Sequence, residues 1–177
     1  MSTLKVDTIL KRTGTGTITL GQSGDTIALG SGASQSIAVN TPSFSATLSS
    51  NFTLTQNTLT LVPFATEQWD TDSAYDNSAS QYKFTAPSSG KYNIFTVIKM
   101  GNQQSGSWNY GAIYKNGSSV VYGFGYTSVT QDGFLRLGQV LDLSANDTIQ
   151  IYATTNQSGT IFLGSDSCVF QGNKLIT

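Results

Sequence analysis

No eleven-residue window of this chain places apolar side chains at i, i+3, i+4 and i+7, so an amphipathic helix has no stripe to rest on. Short runs with apolar residues at every second position take its place, and the pleat of a strand sends such residues to one face. Of 177 residues, 47 are Ser or Thr and 18 are Gly, too much turn chemistry for long helices. Hydrophobic residues at 38% and aromatics at 11% still supply a core, and Thr, Val, Ile and the aromatic rings favour a pleated surface. The expectation is an all-β protein.

Several kinds of chemistry are excluded. Histidine is absent and Cys168 is the only cysteine, so no Ser-His-Asp or Cys-His pair, imidazole ligand, thiolate zinc site or disulfide can be assembled within the chain. Nine Lys+Arg stand against ten Asp+Glu, scattered along the sequence, which leaves no electrostatic footprint for nucleic acid. Met1–Thr8 lacks the apolar core of a signal peptide, and no run approaches the ~18 apolar residues of a membrane span. Neither a membrane nor a secretory route is expected.

Between Arg12 and Glu67 the only charge is Asp25, and the early part of that stretch repeats. Ile18 and Leu20, Ile27 and Leu29, Ile37 and Val39 each form one short alternating strand, with Gly, Ser and Gln between them. Three such strands bury too little to stand alone, so residues 1–40 read as an attachment or stem segment that needs a neighbour. A disordered Ser/Gly-rich leader is the alternative, and the regular period counts against it.

From Thr41 onward, strands follow one another at turn-marked intervals. Leu59–Phe64 reads as one strand, with Pro63 marking an edge or bulge. Tyr82–Ala86 is another, and Tyr92–Met100 carries Tyr92, Ile94, Thr96 and Ile98 on one face with Phe95 and Val97 on the other. Trp108–Tyr114 leads to the hairpin signal Asn116-Gly117, and Asp132-Gly133 marks a second hairpin before Phe134–Leu143. Thr148–Thr154, then Thr160–Phe170 and the last strand-like residues after it, complete eight to ten strands, which implies a sandwich or jelly roll over residues 41–177.

Within that span the spacing of Phe64, Asp70 and Tyr75, followed by Phe84, Gly90, Tyr92 and Ile94, resembles the pattern of C1q domains, the jelly rolls of the C1q/TNF superfamily. Phe84-Thr85-Ala86-Pro87-Ser88-Ser89-Gly90-Lys91-Tyr92 is the strongest part. Tyr114–Gly117, Leu143–Ile149 and Ser167–Gly172 resemble the family's central hairpin, penultimate turn and closing strand, with Phe170 and Gly172 in the last. Two departures stand out: eight residues rather than six separate Tyr75 from Phe84, and Ile94 and Thr96 occupy places where the family prefers aromatics. The resemblance implies a homotrimer, which low charge and abundant aromatics also favour, since a closed ring would cover apolar surface.

Leu4–Ile9 and Thr15–Gly21 resemble leaders of tailed-phage virion proteins. Together the two resemblances imply a non-enzymatic virion structural protein: a trimeric fibre, knob or capsid decoration, assembled in the host cytoplasm. Residues 1–40 would contact other virion proteins, and the head would project toward a host glycan or protein. A soluble C1q-like glycan- or protein-binding lectin or adhesin is the alternative.

Two further features bear on ligands. Glu67–Asp76 gathers four of the ten acidic residues, and Asp70, Asp72 and Asp76 are weak calcium candidates, the competing reading being local turn bonds. Otherwise no cofactor is expected. Tyr122-Gly123-Phe124-Gly125-Tyr126 puts three aromatics on one face and glycines on the other. Exposed, Tyr122, Phe124 and Tyr126 could stack on sugars, near Trp108 and Tyr110; the favoured expectation is burial, at a trimer axis or inside the sandwich.

Overall fold

The computed structural model describes residues 41–159, 161–162 and 167–175. The stem residues Ile18, Leu20, Ile27, Leu29, Ile37 and Val39 lie outside the described residues. Every described residue belongs to the unit Ala38–Thr177.

Among the described residues there is no helix. The strands are β1 (Ser43–Thr47), β2 (Phe52–Thr53), β3 (Thr60–Leu61), β4 (Thr66–Asp70), β5 (Tyr75–Asp76), β6 (Lys83–Thr85), β7 (Gly90–Gln103), β8 (Ser107–Lys115), β9 (Ser118–Thr127), β10 (Gln131–Leu143), β11 (Thr148–Thr155), β12 (Ile161–Phe162) and β13 (Val169–Lys174). They form two antiparallel sheets. In sheet A, β7 is the trunk: β10 runs along one edge of it, β13 and β12 share the other, and β1 and β4 lie beyond β13. Sheet B has the order β5-β6-β11-β8-β9, with β3 also paired to β11.

Along the chain β6, β7, β8, then β9, β10, β11 change sheet repeatedly, the crossing pattern of a jelly roll. The core forms where the inner faces meet. Tyr92, Ile94, Thr96, Ile98 and Met100 of β7 are all fully buried, while Phe95 and Val97 on its other face stay half-buried. Ile149, Ile151 and Ala153 of β11 answer them from sheet B.

Turn chemistry explains which connections are tight. Asn116 and Gly117 both take positive φ, 50° and 78°, so β8 and β9 close as a two-residue hairpin. Asp132-Gly133, in contrast, is not a hairpin turn. β9 lies in sheet B and β10 in sheet A, and Asp132 sits at a bulge where Gln131 faces Gln103 and Gly133 faces Met100. Leu59–Phe64 also differs from expectation. The strand is only Thr60–Leu61, with the Val62 N–H still bonding the Ile151 carbonyl (2.9 Å), because at Pro63 the chain leaves the sheet through two successive i+2 turns, Phe64 N–H to Val62 C=O (2.9 Å) and Ala65 N–H to Pro63 C=O (2.8 Å). Those turns drop Phe64 into the core.

Candidate functional site

The C1q-like positions gather in one place. Phe84 stacks on Phe44 at 4.6 Å between ring centroids, Tyr75 stacks on the same ring at 5.2 Å, and Phe170 meets it edge-on at 4.9 Å. Phe64 reaches Phe170 at 5.7 Å, and Tyr92 reaches Phe84 at 5.6 Å. The two buried phenols keep a polar handle: Tyr75 OH donates to the Phe64 carbonyl (2.8 Å) and Tyr92 OH to the Ser88 carbonyl (2.7 Å). Burial pushes the Tyr75 phenol far up, and Tyr82, Asp76 and Glu67 add to it, so it stays protonated. Phe44, the hub of the cluster, went unrecognised in the sequence. Its signal was the period-two run Phe44, Ala46, Leu48, all buried.

The remaining C1q-like positions shape the backbone. Gly90 has a φ of 153°, where β7 begins. At Gly172 an added Cβ would lie 2.8 Å from Ile94 Cδ1 and 2.9 Å from Phe44 Cε1, so glycine lets the aromatic cluster close on β13. Asp70 accepts from the Tyr75 N–H (2.7 Å) and the Asp72 N–H (3.3 Å), holding the turn between β4 and β5.

Within the acidic loop, local turn bonds take up two of the carboxylates. Asp70 is occupied as described, Asp76 accepts from Ser78 N–H and Oγ, and those bonds lower its carboxyl pKa. Among the described residues no group of three or more Asp, Glu or Cys is placed to hold a metal ion. Local turn bonds account for Asp70 and Asp76; Asp72 contributes its backbone N–H.

The aromatic run on β9 differs most from the expectation of burial within the sandwich. Tyr122, Phe124 and Tyr126 point out of sheet B, 66%, 67% and 77% exposed. The glycines point in. A Cβ on Gly123 would lie 2.8 Å from Leu137 Cδ2, and one on Gly111 3.0 Å from Leu135 Cδ1, so β10's leucines fill the room these glycines leave. With the inner face closed that tightly, the rings have only the outer face.

There they join others. Cross-strand pairing sets Tyr126 opposite Trp108, Phe124 opposite Tyr110 and Tyr122 opposite Ala112, while Tyr152 of β11 flanks Ala112 from the other side. Phe124 lies 5.1 Å from Tyr110 and 6.2 Å from Trp108, Tyr110 lies 6.0 Å from Tyr122, and Tyr114 lies 4.6 Å from Tyr152. Ala112 faces outward yet is fully buried beneath them. The Tyr114 phenol is pushed up, first by desolvation, then by Tyr110 and Tyr152. Tyr114 and Tyr152 were missed as members of this platform, although they share its strand parity.

On the outer face of sheet A, apolar side chains alternate with polar ones. Register aligns Trp69, Ser45, Gln171, Phe95 and Gly138 in one row, and Thr47, Val169, Val97 and Arg136 in the next. Trp69, Val140 and Phe134 are about half exposed. Charges sit at its ends: Lys99 bonds Asp132 at 3.0 Å, and Lys99 and Arg136 both lie over the Phe134 ring. Beside Trp69 lies a depression of about 310 Å³, bordered by Ser43, Asn93, Gln171 and Asn173.

No family model and no curated protein matches the sequence. Solved structures do match the fold. The globular domain of zebrafish complement 1qA superimposes with a TM-score of 0.60 at 15% identity, over 76% of this chain and 98% of that one. The murine APRIL crystal structure at pH 5.0 gives a TM-score of 0.57 at 9% identity, over 75% and 98%. The described part of the chain has the C1q/TNF-like jelly-roll fold.

Proposed function

We propose that residues 41–177 form the head of a non-enzymatic, homotrimeric structural appendage, in which sheet A's outer face meets neighbouring copies and the aromatic platform of sheet B faces outward. The observation that carries this reading is the uncharged middle of the sheet A face. Half-exposed Trp69 and Val140 flank Phe95, Val97 and Val169, and a depression beside Trp69 offers a place for a neighbour's side chain. Where that face meets a different surface of the next copy, the contact is heterologous, and it must close into a ring to avoid open polymers. Three copies also present three identical outward platforms, which raises the effective strength of any weak contact each one makes.

The virion placement rests on residues 1–40, whose alternating apolar pattern calls for a partner surface and whose sequence resembles tailed-phage leaders. In this reading those residues anchor the head to other virion proteins. Mass spectrometry of purified virions tests it. Peptides of this chain at a fixed stoichiometry to the capsid protein are expected, and their absence from particles would overturn the placement.

A further inference from the structure

At one end of sheet B, beside Trp108, lies an open depression of about 440 Å³ lined by Gln56, Gln104, Ser105, Asn156, Gln157 and Ser158 together with Gly106 and Ser107. No lining residue carries a charge. The wall is held by its own hydrogen bonds: Gln157 Oε1 accepts from the Gln104 N–H (2.7 Å) and the Ser107 hydroxyl, Gln56 Nε2 donates to the Asn156 carbonyl (2.6 Å), and Ser105 Oγ donates to the Ser128 carbonyl (2.8 Å). These bonds leave polar atoms over. The Gln104 side-chain amide, Asn156 Nδ2, Gln56 Oε1 and the Ser158 hydroxyl have no partner among the described residues.

The depression adjoins the end of the strand that carries the first platform ring, since Ser107 and Asn156 line it. Asn156 Oδ1 accepts from the Trp108 N–H (2.8 Å), and the Asn156 N–H donates to the Trp108 carbonyl (3.3 Å), so the residue that lines the depression also fixes the strand that presents the first ring. Phe124 follows Trp108 at 6.2 Å and Tyr110 follows Phe124 at 5.1 Å. Between Lys115 and Asp132 the chain, which includes all of β9, carries no charge.

We infer that this depression and platform form a binding site for a neutral oligosaccharide. Side-chain amides both donate and accept, which suits vicinal hydroxyls, and exposed aromatic faces suit the C–H faces of pyranose rings. An anionic ligand would find no cation among the lining residues, and an apolar peptide would have to strand the amides unpaired. The neutrality of both parts therefore selects an uncharged, hydroxyl-rich ligand. The inference goes beyond the trimeric-head reading, because each subunit holds the whole site.

The test is a glycan array probed with the full chain, carrying neutral hexose, fucosylated and N-acetylhexosamine oligosaccharides beside sialylated and sulfated ones, followed by calorimetry with the best neutral glycan. Capture of neutral glycans is expected, weakened at least tenfold by Phe124→Ala and by Gln104→Ala, both exposed positions, with melting temperature unchanged. No neutral capture, capture of charged glycans only, or variants that bind like the wild type would overturn it. Light scattering on the same samples separates the two claims. A trimer that binds nothing sinks only the glycan site, and a monomer that binds sinks only the trimer.

Discussion

A methyl group added at Gly172 has nowhere to go, since its carbon would stand 2.8–3.0 Å from Ile94, Phe44 and the Asn93 carbonyl. Gly172→Ala is therefore expected to destabilise the head by about 1–3 kcal/mol, the usual cost of overpacking, read as a lower midpoint in urea. Truncating the hub has the opposite defect and a larger effect. Phe44→Ala removes one ring from contact with Tyr75, Phe84 and Phe170, and should cost about 3–5 kcal/mol. At this scale much of the core was legible through the resemblance to C1q domains, which singled out Phe64, Tyr75, Phe84, Tyr92 and Phe170, and these rings converge. Phe44 escaped because the spacing that drew attention began at Phe64, although its own strand alternates plainly.

Turns decide what happens between elements. The Asn116 side chain and Lys115 reach across from the β8–β9 hairpin to Asp147, in the turn between β10 and β11: Lys115 Nζ lies 2.8 Å from its carboxylate, Asn116 Nδ2 donates at 2.7 Å, and Ser144 N–H donates at 2.7 Å. These partners, led by the Lys115 and Asn116 bonds, hold the Asp147 carboxyl at about 2. A carboxyl held below its unfolded value of about 3.9 contributes stability above that pH and loses it as pH falls toward the folded value. Melting curves should thus show a steeper decline for the wild type than for Asp147→Asn between about pH 4 and pH 2. Parallel slopes would remove Asp147 from the account of acid stability. Asn116-Gly117 could be read correctly because a two-residue hairpin is a local matter. Asp132-Gly133 could not, since the irregularity there lies in β7, where Asn102 takes a φ of 64°, and nothing local says that β9 and β10 belong to different sheets. Pro63 misled for a related reason: it ended β3 rather than bending it.

At the largest scale, the decisive feature among the described residues is that large apolar side chains stay exposed on both sheets after folding. The direction of the β9 rings was ambiguous in the sequence, because alternating aromatics and glycines can pack either way, and only Leu135 and Leu137 on a strand of the other sheet resolve which side is closed. The sheet A surface was less legible still. It is composed from β1, β4, β7, β10 and β13, so no single run of residues displays it. A charge placed on the β10 border of this face should act on assembly rather than on folding. Val140→Glu, at a half-exposed position, is expected to yield folded monomer with a wild-type far-ultraviolet spectrum, as seen by gel filtration and circular dichroism. Retention of the wild-type mass by that variant would move the interface elsewhere.

The most direct measurement is the mass of the wild-type full chain by multi-angle light scattering at low micromolar concentration. The threefold head predicts three times the 18.8 kDa of one chain, held on dilution. A stable single-chain mass would contradict it.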